Sequence, residues 1–370
     1  MNAERLHAIV LALSQEMSKK KSVGKLQELT NALSNVVNQP HTTHQQNLAT
    51  NLKAMYEAVT DTPSDQFSPA WRQILAEIGG EDLFGSKLKG NIEAIFSRNQ
   101  ITPAVALDEL QQLHKRLQAF NTALDQCLAS LKHFKIADEK LAPGECEIGV
   151  LIPRGAVENK LINFSQELKE LDFILNTFSE VTTGKRDGQT IRTISSSDFL
   201  VYLDASAPYA ACLAICIERV VALYKQVLEI RKLRQDLKQQ GVPAKAMSEI
   251  EKFVNNLMEN GNEKIASEVV NEYNKKNDKE RKNELINAVK ISLNKIANRI
   301  DRGFNIEVRV APLPKPNDPE KEDKELRKAV ESIQSAASNM QFMKLDGKPI
   351  LKLPEGNEEA NKESLKSSEV

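Results

Sequence analysis

The chain has 370 residues, 41% of them hydrophobic and 27% charged, with 51 acidic residues against 50 Lys and Arg for a net charge of -1. Near-neutrality excludes a global electrostatic pull toward nucleic acid or an anionic membrane and leaves only local patches. The length allows two domains with sizeable cores, and an aromatic content of 5% with one tryptophan, Trp71, is typical of a helical protein.

Residues 1–137 read as helices only. Leu6, Ile9, Val10 and Leu13 form one apolar stripe, Leu26, Leu29, Leu33, Val36 and Val37 a second, and Leu48, Leu52, Met55, Tyr56 and Val59 a third. Their three- and four-residue spacing is that of helices burying one face. Gly24, Pro40 and Pro63 read as breakers. Pro69 opens a helix with Trp71, Ile74, Leu75 and Ile78, and Pro103 opens a long one whose stripe runs from Leu107 to Leu131. This region is expected to be an all-helical bundle. Residues 1–17 are amphipathic, with Glu4 and Arg5 early and no small-residue cleavage site, so no signal peptide is expected there.

The pattern changes after Gly144. Cys146, Ile148, Val150 and Ile152 alternate with Glu147, Gly149 and Leu151, which is strand periodicity. A helix is expected over 159–176. Residues 178–183 and 189–195, flanking Asp187-Gly188, suggest a hairpin. Residues 198–204 read as a buried strand leading into a helix that is apolar through Ile217 and charged after it. Helices are expected over 244–259, 262–275 and 278–301, with stops at Gly241 and Gly261, and residues 305–310 alternate as a last strand.

The predicted fold class is therefore α+β and predominantly helical: an N-terminal all-α bundle over 1–137, then a small mixed or antiparallel sheet covered by long helices over 145–311, with a helical insertion at about 244–301. A βαββαβ order is one topology that fits. Residues 312–370 read as a Pro-rich linker, one helix over about 320–340, and a disordered tail from 355.

Chemistry-bearing residues are sparse. All five histidines, His7, His41, His44, His114 and His133, lie in the N-terminal region, so the α+β region has none for acid–base work or metal binding. Cys127, Cys146, Cys212 and Cys216 form no Cys-x-x-Cys pair, and free thiols in a reducing cytoplasm are expected. No phosphate-binding loop or nucleophile elbow is present. No cofactor and no metal are expected. Asp198, Asp204 and Glu218 are the candidate catalytic carboxylates, with Glu307 and Arg309 on the last strand, although Asp204 also stands where an acid favours a helix start.

Two charged stretches are candidate interaction surfaces. Glu229, Arg231, Lys232, Arg234 and Lys238 form the charged end of the helix after Ile217, which could pair with another chain as a short coiled coil. Lys275, Lys276, Lys279, Arg281 and Lys282 form a basic patch without an aromatic residue to stack on bases. Three functional readings compete. The first is a non-enzymatic, cytoplasmic interaction or assembly protein that binds a protein partner or itself. The second is a regulatory or effector component of a bacterial stress or anti-phage type, acting on a membrane or nucleic acid; it rests on the basic patch and on the apolar run 205–217, which is shorter than the roughly 20 residues of a membrane span. The third is a metal-dependent hydrolase using Asp198 and Asp204. Abundant amphipathic helices beside scarce catalytic groups favour the first.

Overall fold

A computed structural model describes residues 3–186, 188–194, 199–239, 244–274, 279–314, 323–340, 345 and 348–356. The chain divides into two units, Met1–Lys140 and Leu141–Val370.

The first unit is all helical among its described residues. Its helices are α1 (Ala3–Lys20), α2 (Ser22–Asn38), α3 (Thr42–Ala58), α4 (Pro69–Glu77), α5 (Gly85–Arg98) and α6 (Pro103–His133). The expected stripes form the core: Ile9, Leu13, Leu26, Leu29, Met55, Leu88, Ile92, Leu110 and Leu117 are all buried together. The break between α1 and α2 falls at Lys21, whose φ of 54° is left-handed, and not at Gly24, which lies inside α2. One left-handed residue interrupts the helical backbone, while a lone glycine inside a packed helix costs only about 1 kcal/mol. After α6 the chain returns along α1: the Glu139 amide donates to the Glu4 carbonyl at 3.1 Å, and buried Arg5 pairs with Glu139 at 2.8 Å.

The second unit is α+β. Its sheet comprises β1 (Cys146–Ile152), β2 (Ile191–Ile194), β3 (Phe199–Ala205) and β4 (Asn305–Val310). The order is β2-β3-β1-β4 and every neighbouring pair is antiparallel. The helices are α7 (Leu161–Thr183), α8 (Ala207–Gln239), α9 (Ala244–Tyr273), α10 (Lys279–Asp301) and α11 (Lys324–Asn339). The connection β1–α7–β2 and the longer one from β3 through α8, α9 and α10 to β4 give the βαββαβ order, with the second crossover built from three helices. Ile148 faces Leu203 and Val308 across the central strands, and Val150 faces Val201 and Ile306. This apolar face packs with α8 residues such as Cys212, Cys216, Ile217 and Val220 in one core.

Two boundaries expected for helices and strands of this unit differ for physical reasons. Residues 178–183 do not enter a hairpin; they finish α7, because Phe178 and Val181 continue the buried stripe of Leu171, Ile174 and Leu175. Gly184, at φ 76°, then caps that helix by donating to the Glu180 carbonyl at 2.9 Å. Gly261 does not stop a helix either: α9 runs through it, and a Cβ there would stand 2.5 Å from Leu223 Cδ1. The glycine lets α8 and α9 approach, a role that periodicity alone does not display.

Candidate functional site

Asparagine is a poor residue for a helix interior because its amide competes for nearby backbone groups. Helices α9 and α10 nonetheless carry Asn255, Asn262, Asn294 and Asn298 in their interiors. Their spacings of seven residues in α9 and four in α10 put each pair on one helix face. What Asn255, Asn294 and Asn298 hold is a stretch without helix or strand that follows α11, residues 350–355.

The stretch is bound through its backbone. The amides of Ile350 and Leu351 donate to Asp301 Oδ2 at 2.5 and 2.7 Å. The Lys352 amide donates to Asn255 Oδ1 at 2.6 Å, and the Leu353 amide to Asn298 Oδ1 at 3.0 Å. In return Asn298 Nδ2 donates to the Leu353 carbonyl at 3.0 Å, Asn294 Nδ2 to the Pro354 carbonyl at 2.9 Å, and Asn255 Nδ2 to the Ile350 carbonyl at 3.4 Å. Asn262, fully buried behind them, donates to Asn294 Oδ1 at 2.9 Å and fixes that amide's orientation. The next residue, Pro354, has no amide hydrogen, so the donor series ends where the groove stops supplying acceptors. Ile350, Leu351 and Leu353 are buried in the core of the unit, whereas Lys352 and Pro354 are exposed. Burying such side chains stabilises by about 1.5–3 kcal/mol each.

Asp301 anchors the upstream end under unusual conditions. It is 1% exposed and ends α10, where the helix dipole disfavours an anion. Compensation comes from α8. Arg231, 5% exposed, donates to Asp301 Oδ1 at 2.8 Å, and Tyr224 donates to the same oxygen at 2.5 Å. Burial, reinforced by the Asp301 charge, pushes the Tyr224 phenol up, so it remains a donor. With Oδ1 taken by α8, Oδ2 is left to receive the two amides.

The downstream end is read by charge. Glu355 accepts from Asn298 Nδ2 at 2.7 Å and lies 3.4 Å from Arg299 and 3.7 Å from Lys295. Arg299 and Lys295 are held from the other side by α7, Arg299 on Glu167 at 2.9 Å and Lys295 on Glu170. The tail expected to be disordered from residue 355 therefore begins with a bound carboxylate; residues 357–370 lie outside the described residues. Backbone capture by side chains gives affinity that tolerates many sequences, and the buried apolar positions with the carboxylate site add selectivity, the division of labour seen in β-strand addition.

The candidate residues that the structure describes each have their own partners. Asp204 does not cap a helix: it lies in β3, which runs on to Ala205, and Arg192 donates to it at 2.7 Å. Glu218 on α8 accepts from Asn339 of α11 at 2.7 Å. No hydrogen bond or ion pair joins Asp204 to Glu218 among the described residues, and Asp198 lies outside them. On the sheet face away from the apolar core, Arg309 pairs with buried Glu147 at 3.1 Å, and Arg192 bridges Glu145, Glu147 and Asp204; Glu307 is buried on that face too. Among the described residues no group of three His, Cys, Asp or Glu is placed to hold a metal ion. Burial pushes the Cys146 thiol up to about 12 and raises that of Cys212, so neither is a ready thiolate nucleophile.

The charged end of α8 is divided. Arg231 turns inward to Asp301, which removes it from an exposed coiled-coil surface. Arg234 pairs with Glu251 of α9, while Glu229 and Lys232 are exposed. The side chain of Lys238 lies outside the described residues. So do Lys275, Lys276 and the Lys279 side chain of the basic patch, and Arg281 is paired with Glu180 and Glu284. The apolar run 205–217 belongs to a longer stretch than the sequence suggested: Ala207–Arg234 is long and apolar enough to cross a membrane, and 67% of its most apolar window is buried inside the structure.

Sequence reasoning passed over the Asn/Asp groove altogether. Its one local signal is asparagine at the interior positions of two amphipathic helices, with an aspartate at a helix C-terminus. Comparison with protein families, with curated proteins and with solved structures finds no match to this chain.

Proposed function

We propose that this chain is a non-enzymatic interaction or assembly protein whose binding element is the groove between α9 and α10. The observation that supports this reading is the capture of residues 350–355 by Asn255, Asn294, Asn298 and Asp301. Each of those side chains bonds to the backbone of a segment that has no helix or strand of its own. A segment bonded in that way is held as a ligand is held.

The test uses the full chain with its own segment weakened by Leu351→Asp and Leu353→Asp. A fluorescein-labelled peptide with the sequence of residues 348–356 should bind this variant saturably in fluorescence anisotropy. Adding Asn255→Ala and Asn298→Ala should abolish the binding. A folded variant that ignores the peptide removes the reading. Self-association is a second reading, favoured by the covalent position of the segment: residues 341–349 join it to α11, and a segment passed to another copy would re-form the same bonds. It requires a mass that rises with concentration in light scattering and falls back to the monomer in the Leu351→Asp, Leu353→Asp variant; a strict monomer at all concentrations excludes it.

A further inference from the structure

We infer that the partner is a second protein presenting an extended segment of defined chemistry, and that residues 350–355 are a tethered competitor holding the groove closed until that segment displaces them. The inference rests on the groove reading above and adds to it the partner's sequence requirements and a mode of regulation.

The requirements follow position by position. The first four residues must each carry an amide hydrogen, because Asp301, Asn255 and Asn298 accept from Ile350, Leu351, Lys352 and Leu353 in turn. Proline is therefore excluded at positions two to four, and at position one as well. Positions one, two and four must be apolar, since Ile350, Leu351 and Leu353 are buried, whereas position three faces solvent at Lys352. Position five accepts proline because only its carbonyl is used, by Asn294. Position six must be acidic. Lys295 and Arg299 are both at least nine-tenths buried, and their charge at this end of the groove is shared by Glu355 with Glu167 and Glu170 of α7. A lysine at position six would bring a fourth cation to a cluster in which Lys295, Arg299 and Arg302 face Glu167 and Glu170.

The regulation follows from covalent connection. Covalent connection supplies the chain's own segment at a local concentration that a short connector sets at roughly the millimolar range. A free partner segment of equal intrinsic affinity must compete against that local supply, so the groove reports either a better segment or a high local density of partner. Nothing in the backbone bonds requires the occupant to come from the same chain, because the groove side chains that bond to the backbone of residues 350–354 belong to α9 and α10.

The experiment titrates the labelled 348–356 peptide with the wild-type full chain and with the Leu351→Asp, Leu353→Asp full chain. The opened variant should bind at least about tenfold more tightly than wild type, the difference being the tethered competitor. Against the opened variant, a peptide carrying Leu353→Pro should not bind detectably, one carrying Glu355→Lys should bind about tenfold or more weakly, and one carrying Lys352→Ala should bind within about twofold. Equal affinity for both chains overturns the competitor. Equal binding of the Leu353→Pro or Glu355→Lys peptide overturns the sequence requirements. Both results presuppose peptide binding and so differ from failure of the groove reading, in which the folded opened variant binds nothing. Glu355→Lys in the chain itself is a milder opening; it should raise peptide affinity over wild type, and it decides the question where the double variant does not fold.

Discussion

Each unit of this protein uses a buried carboxylate to receive backbone amides from a distant part of its own chain, with opposite consequences. In the first unit Glu16 accepts from the Ser64 amide at 2.8 Å and the Ser64 hydroxyl at 2.9 Å. Ser64 belongs to a 3-10 turn with its own capping box between Thr62 and Asp65, and helices precede and follow it. In the second unit Asp301 accepts from Ile350 and Leu351, whose segment has no internal turn and is held by side chains of the groove. The sequence separations are nearly equal, 48 residues for Glu16–Ser64 and 49 for Asp301–Ile350. What differs is whether the held segment keeps a structure of its own. Glu16 fastens one preformed element to another and serves architecture; Asp301 holds a strip that would lose its shape on release.

The strongest way to break this comparison is Asp301→Ala. It removes the carboxylate that Arg231 and Tyr224 share and frees two amides, and removing one partner of a buried ion pair costs about 3–5 kcal/mol. The only tryptophan, Trp71, lies in the first unit and reports that unit's unfolding separately. In urea, the far-ultraviolet circular dichroism transition should move to lower denaturant while the Trp71 fluorescence midpoint stays in place. Coincident shifts in both signals would show that the two units do not unfold independently and would remove the basis for treating their carboxylates apart.

A smaller effect separates the ligand-like segment from its groove. Asn298→Ala deletes the paired bonds to Leu353 and the bond to Glu355, and at about 1 kcal/mol for a net hydrogen bond the segment should lose roughly 2 kcal/mol of its attachment. The helices should hardly respond, since alanine is the better helix former. Hydrogen exchange reads this directly: protection of the Ile350, Leu351 and Leu353 amides should fall together by more than tenfold, with α9 and α10 unchanged. If protection of α10 falls equally, the segment is an integral layer of the fold and its likeness to a ligand is lost.

The fold was far more legible in the sequence than the groove, and the reason is distance. The alternation of residues 146–152 and 305–310 identifies β1 and β4, because a strand with one apolar and one more polar face writes its period locally. The Leu285, Val289, Leu293, Ile296 and Ile300 stripe identifies α10 in the same way. Where tertiary packing decides, local signals mislead: Gly261 has the look of a helix stop but makes room for Leu223, and Gly188 suggests a hairpin that Phe178 and Val181 preclude by staying in the core. The groove joins Asn255 to Lys352 and Asn298 to Leu353, pairs 97 and 55 residues apart, and no periodicity encodes such a match. Its trace is a set of local violations, asparagines inside helices and an aspartate at a helix C-terminus, which are the residues that sites disturb first.

The smallest predicted effect sharpens the architectural half of the comparison through pH. Burial raises the Glu16 carboxyl above its ordinary 4.5, against the opposing bonds from Ser64 and Thr62. Asp65 is lowered below 3.8, because bonds from Ser86 and Thr62 outweigh its burial. The signs are opposite. A carboxyl raised in the folded state takes up its proton there first, so Glu16 adds stability as pH falls through its folded value toward 4.5. Asp65 contributes stability above 3.8 that is lost as pH falls through its lower folded value. Glu16→Gln keeps one acceptor for Ser64 and removes the titration. At neutral pH the substitution should change stability by no more than about 1 kcal/mol, since the relief of a buried charge offsets one lost bond. Between neutrality and pH 4.5, the Trp71 urea midpoint of wild type should gain a component that Glu16→Gln lacks, while both chains should fall alike below pH 3.8. A Glu16→Gln chain that retains the wild-type slope would assign the titration elsewhere in the first unit. It would also leave the Glu16–Ser64 contact as an ordinary hydrogen-bonded joint with no cost attached to its charge.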